Sequence, residues 1–142
     1  SHDKYREIND LIQSFERNKE GKKLSNLLRG INTIARNNII KVAFEDKFVS
    51  PCVASKKLII LQETGDIYPC EILNKKIGNI KEYNYDIKKL LASKKNEEMK
   101  KWIKQTKCKC TFECATSASV VWNFSNIPKI LKYTFKSYIR DK

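Results

Sequence analysis

Five cysteines, Cys52, Cys70, Cys108, Cys110 and Cys114, are the residues with the most chemistry to offer in this chain. The single histidine sits in a Ser1-His2 pair that reads as a cloning remnant. Setting it aside removes histidine acid–base catalysis and mixed Cys/His zinc sites together. Five is an odd number for a disulfide framework, and in a reducing compartment thiols stay free to bind metal. All five are expected at the edges of elements: Cys52 just before a hairpin, Cys70 at its end, and Cys108, Cys110 and Cys114 on a loop after a helix. Buried structural cysteines, the plain alternative, are usually scattered along core faces. A hairpin returns the chain on itself, so Cys52 and Cys70 can meet across 17 intervening residues. Four thiolates saturate a [4Fe–4S] cubane and equally a tetrahedral zinc, so spacing leaves both metals open.

The elements that must position these thiols follow from periodicity. Tyr5, Ile8, Leu11, Ile12 and Phe15 form one apolar stripe, which predicts a helix over 3–20 with Gly21 as its stop. A second helix is predicted from Leu24 to Val42, with Gly30 weakening it by up to ~1 kcal/mol relative to Ala. Lys57 to Gln62 reads as a strand and Ile67 to Cys70 as its partner. Glu63-Thr64-Gly65-Asp66 supplies the turn between them, with positive φ at Gly65. Pro69 has no backbone donor, so its strand must lie at an edge or stop there. Gly78-Asn79 reads as a further turn. Helical spacing returns over 86–93 and over 96–105, with Asn96 as N-cap and Met99, Trp102 and Ile103 facing inward. The tail from Ile127 to Ile139 is weakly helical after Pro128. The expected class is α+β: a small domain with a β-hairpin flanked by helices and a cysteine-rich metal loop.

Bulk properties narrow the partners. With 41% hydrophobic residues in 142, the chain can fold as about one domain and is not disordered. Lys and Arg number 29 against 16 Asp and Glu, a net charge of +13. The basic residues are spread out with no run of five, so nucleic acid is not the expected partner, although Tyr68, Tyr83, Tyr85 and Trp102 could stack on bases. No apolar stretch approaches the ~20 residues that span a bilayer, and no charged start followed by an apolar block opens the chain. The expected location is the cytoplasm, with no membrane partner.

The segment Cys52-x12-Gly65-x4-Cys70 resembles the Cys-x(9–15)-Gly-x4-Cys signature of SPASM domains, the auxiliary iron–sulfur modules of radical SAM enzymes. Pro51-Cys52-Val53-Ala54, Leu58-Ile59-Ile60 and Gly65-Asp66-Ile67-Tyr68-Pro69-Cys70-Glu71 fit around it. Ile77-Gly78-Asn79-Ile80 looks like the turn that follows in that family, and Lys107 to Cys114 resembles its closing cysteine cluster. The resemblance covers residues 50–116. It implies a helical linker or barrel end over 1–49 and a partly helical tail over 117–142.

The family's full form carries two clusters; the shortened Cys-x-Cys-x3-Cys block here implies one [4Fe–4S] cluster. By resemblance Cys52, Cys70 and Cys114 are ligands, with Cys108 or Cys110 as the fourth. The Cys-x3-Cys-x2-Cys motif that binds the S-adenosylmethionine-cleaving cluster does not occur. The implied protein is therefore part of a radical SAM enzyme and inactive by itself, with S-adenosylmethionine bound only by a catalytic domain in cis. Its module would serve electron transfer and the positioning of a peptide or protein substrate. Zinc is the possible substitute metal, and a structural zinc domain that binds a partner is the alternative function. Lys107 and Lys109 could raise the potential of such a site, but the solvated reading is preferred because exposed charges are screened within ~10 Å. Glu71 and Glu113 are expected to be surface carboxylates.

Overall fold

Helical periodicity at the start of the chain produces α1, His2–Arg17, and α2, Lys23–Glu45, in a computed structural model that describes residues 2–17 and 23–140. The expected stop at Gly21 lies outside the described residues. The apolar stripe of α1 is real, but Ile8, Leu11, Ile12 and Phe15 remain exposed. Tyr5 makes one ordered contact, an edge-to-face approach to Phe44 with ring centroids 5.9 Å apart.

Two helices late in the chain, α5 over Glu113–Trp122 and α6 over Ile127–Arg140, pack on α2. Ile34, Ala35, Val120 and Ile130 form their shared core, with Ile31 and Tyr133 at its margin. Gly30 explains itself here. A Cβ at this position would stand 3.0 Å from Thr134 Oγ1 and 3.3 Å from the Ile130 carbonyl. The glycine that weakens α2 is what lets α6 lie close against it. Pro128 falls in the first turn of α6, where its missing N–H has no intrahelical partner to lose.

Between these helices sits a three-stranded antiparallel sheet in the order β1 (Ile60–Leu61), β2 (Asp66–Tyr68), β3 (Gly78–Asn79). Its first strand is shorter than Lys57–Gln62. Residues 53–58 instead form a tight turn closed by an Ala54–Leu58 bridge, in which the Ser55 N–H donates to the Leu58 carbonyl at 2.8 Å. β2 stops before Pro69, as a residue without a donor requires. Gly78-Asn79 corrects the turn expected there: it pairs with Ile67 and Asp66, and a 3-10 turn over Ile80–Tyr83 follows. Gly65 has φ 90°, and a Cβ on it would meet Asn79 Oδ1 at 2.9 Å. Asn79 itself donates to the Thr64 carbonyl at 3.2 Å and to Asp66 Oδ1 at 2.7 Å, locking the hairpin turn from the third strand.

The sheet packs on α3, Ile87–Leu91, through Ile67, Ile77, Ile80 and Leu90. Beside it α4, Lys94–Gln105, contributes Met99 and Ile103 to a second cluster with Ala54 and Cys70. Trp102 is partly buried at its edge, with Lys75 Nζ 4.1 Å above the ring. Ser93, not Asn96, caps α4: its hydroxyl accepts from the Asn96 N–H at 3.3 Å. Asn96 is fully buried instead. The α+β class is observed. The loop expected to hold three cysteines ends earlier than predicted, because Glu113 begins α5 and Cys114 is already helical.

Candidate functional site

Each cysteine segment is positioned by identifiable bonds. Cys52 lies on an irregular segment held to α5 and to its C-cap: Asn123 Nδ2 donates to Ser50 Oγ at 3.3 Å, and the Val53 N–H donates to Ser119 Oγ at 3.3 Å. Cys70 follows buried Pro69 at the end of β2 and is itself buried in the cluster with Met99 and Ile103. The Leu73 N–H points back at it, 3.4 Å from Cys70 Sγ.

Cys108 is placed by the end of α4. Lys107 adopts a left-handed φ of 47°, the Cys108 N–H returns to the Ile103 carbonyl at 3.0 Å, and the Lys107 N–H to the Lys104 carbonyl at 3.3 Å. This is the Schellman ending, and it normally joins an apolar contact between the residue after the turn and the last turn of the helix. Cys108 and Ile103 supply that contact in the shared cluster.

Three separated segments thus bring four thiols into one neighbourhood: Cys52, Cys70 and Cys108 share a packed cluster, and Cys52, Cys108 and Cys110 line one cleft. Burial, followed by the neighbouring Cys52, Cys110 and Cys70 thiols and a hydrogen bond with Cys52, pushes the Cys108 thiol from its ordinary 9.0 up to about 11. Burial likewise raises Cys110, with Cys52 and Cys70 adding to it, while the Phe112 N–H and the Thr116 hydroxyl pull the other way. Such crowding makes ionisation unfavourable without a cation, and a bound cation reverses that by supplying the opposite charge.

Cys114 is exposed in the first turn of α5. Glu71 and Glu113 are exposed as expected. A small cleft of ≈ 30 Å3 opens beside the thiols, lined by Cys52, Cys108 and Cys110 and by the polar groups of Asn38, Thr116 and Ser119.

Among the described residues, no three His, Cys, Asp or Glu side chains stand in an arrangement that could hold a metal ion as they are placed. The thiols are near enough to shift one another's ionisation, yet they do not close on a common centre. The donor chemistry nevertheless fits a thiolate-bound metal. Soft sulfur donors come from three segments, and sulfur changes position by rotation about χ1 between staggered wells. Amide donors already aim at two of the sulfurs, which favours the anionic, ligating form.

Several residues that shape the site escape sequence reading. The Leu73 and Phe112 groups are backbone and leave no trace in residue type. Ser119 lies on α5, a helix the periodicity did not predict, and Asn123 caps its C-terminus. Asn96 did carry a signal: it falls on the same face of α4 as Met99 and Ile103, three and seven residues on, where a polar residue must find buried partners. Lys109, expected to be solvated, is partly buried and bound to Asp46.

No protein-family model, curated protein or solved structure matches the chain. Among the described residues no helix is long and apolar enough to cross a membrane.

Proposed function

We propose that residues 50–116 are an auxiliary [4Fe–4S] module of a radical SAM enzyme, with Cys52, Cys70, Cys108 and Cys110 as ligands. The observation that carries this reading is that Cys52, Cys70 and Cys108 share one packed cluster while Cys52, Cys108 and Cys110 line one cleft, with the Leu73 N–H aimed at Cys70. A cluster held there supplies a one-electron acceptor or donor. The chain's part is to present sulfur, to exclude water with Met99, Ile103 and Ala54, and to stabilise thiolate through the Leu73 and Phe112 N–H groups. Ser50 and Ser119 tether the Cys52 strand so that it does not drift from the α4 end. In this reading the catalytic domain lies in cis, the substrate is a peptide or protein, and the compartment is the reducing cytoplasm.

A structural zinc site is the second reading. Four thiolates saturate a tetrahedral zinc as fully as a cubane, so the same donor set serves either metal. Anaerobic purification with iron, sulfide and zinc analysis separates the two. About four irons and four sulfides per chain, with a broad visible charge-transfer band, support the cluster. One zinc without sulfide overturns it in favour of the second reading.

A further inference from the structure

Lys109 lies between Cys108 and Cys110, and its side chain runs to the end of α2. Its ammonium donates to the Asp46 carbonyl and stands 2.7 Å from Asp46 Oδ1. The Lys109 side chain is 29% exposed and that of Asp46 is 92% exposed. This asymmetry decides which contact matters. An ion pair to a carboxylate in water contributes only ~0–1 kcal/mol. A carbonyl past a helix C-terminus, by contrast, gains from a cation that satisfies it and complements the dipole. Asp46 takes a left-handed φ of 48° just beyond Glu45. The same Lys109 lines the cleft with Cys52, Cys108 and Cys110.

We propose that Lys109 is the positioning residue of the thiol site. Anchored on the Asp46 carbonyl, it fixes the Cys108-Lys109-Cys110 loop against the end of α2 and brings a cationic side chain to the wall of the cleft that Cys52, Cys108 and Cys110 share. The inference rests on reading the thiols as a metal centre. Pinning the middle residue of a Cys-x-Cys loop removes freedom that metal binding would otherwise have to remove. A cation beside thiolates stabilises their anionic charge and raises the potential of a redox centre they hold.

Three variants of the full chain, prepared anaerobically, separate anchoring from charge. Lys109→Gln removes both, Lys109→Arg keeps both, and Asp46→Asn keeps the carbonyl acceptor while deleting a nearby negative charge. Metal transfer to a chelator should be about ten-fold faster in Lys109→Gln and close to wild type in the other two. The reduction potential should fall in Lys109→Gln, rise in Asp46→Asn and stay in place in Lys109→Arg; for a zinc-loaded chain the chelation rate is the readout. Wild-type retention in Lys109→Gln overturns the proposal. So do shifts of potential in the same direction for Lys109→Gln and Asp46→Asn, which a merely structural fault would give. A wild-type chain that takes up neither iron nor zinc sinks the metal reading, and this inference with it.

Discussion

Asn96 Nδ2 donates to the Ser55 carbonyl at 3.3 Å, joining the first turn of α4 to the tight turn that follows Cys52. The same amide nitrogen donates to the Leu91 carbonyl at 2.7 Å, and Asn96 Oδ1 accepts from the Ser55 hydroxyl. Both residues are fully buried, and Ser55 is held at a φ of 67° that a residue with a Cβ rarely adopts. One side chain therefore satisfies a left-handed turn and a helix junction at once.

Replacing Asn96 by Ala leaves the buried Ser55 hydroxyl and carbonyl without their partner, while the Leu91 carbonyl keeps Lys100 Nζ at 3.4 Å. The expected loss of stability is about 2–4 kcal/mol, since each orphaned buried group costs ~1–3 kcal/mol. Urea unfolding followed by circular dichroism measures it. A midpoint within error of wild type would show that the network does not hold the turn.

The end of α4 offers a change in the opposite direction. Lys107 occupies the left-handed position of the Schellman ending, where glycine is the usual residue. Lys107→Gly should stabilise the chain by about 0.5–1 kcal/mol, the relief of left-handed strain less the added freedom of the unfolded glycine. A lower thermal midpoint would mean that the Lys107 side chain contributes something that its strained backbone conceals.

Acid and alkaline limits should both show the Asp66–Lys76 pair, whose charged atoms are 2.6 Å apart. The Lys76 hydrogen bond, and then that of Asn79, holds the Asp66 carboxyl below its ordinary 3.8. Its contribution is complete above that value and is lost as pH falls through the lower folded value. Lys76 is raised above 10.5 by its bond to Asp66, so its share is complete below 10.5 and is lost as pH climbs through the folded value. The stability difference between wild type and Lys76→Met should be level between roughly pH 5 and 9 and should shrink at both ends. Thermal midpoints across the pH range test this; a difference undiminished at pH 2 contradicts it.

Cys114 and Cys70 should respond oppositely to removal. Cys70→Ala takes the one buried sulfur from the four proposed ligands and should abolish metal retention, whereas Cys114→Ala, at an exposed position in the first turn of α5, should keep the wild-type metal content. Metal analysis of the two variants after gel filtration reads the outcome. Loss of metal in Cys114→Ala would return Cys114 to the ligand set that the family resemblance implies.

Local pattern by itself determined the long helices, the hairpin turn at Gly65, the end of β2 at Pro69 and the inward face of α4. Each depends on a period, a missing donor or a forced dihedral that acts within a few residues. Such rules put all five cysteines at element edges, and four of them do lie outside regular elements, Cys114 being the exception. They do not reach α5. Ala115 to Val121 is rich in small and β-branched residues with weak helical preference, and the segment is helical because α2 buries Val120 and its neighbours. That helix then places Cys114 in its exposed first turn, and Ser119 within it and Asn123 at its end bond to the Cys52 segment. Which sulfurs meet was likewise a tertiary decision. It depends on three segments far apart in the chain being brought together by long-range contacts, of which the buried Asn96–Ser55 bonds and the more exposed Lys109–Asp46 bond are two, and no spacing rule encodes such pairs.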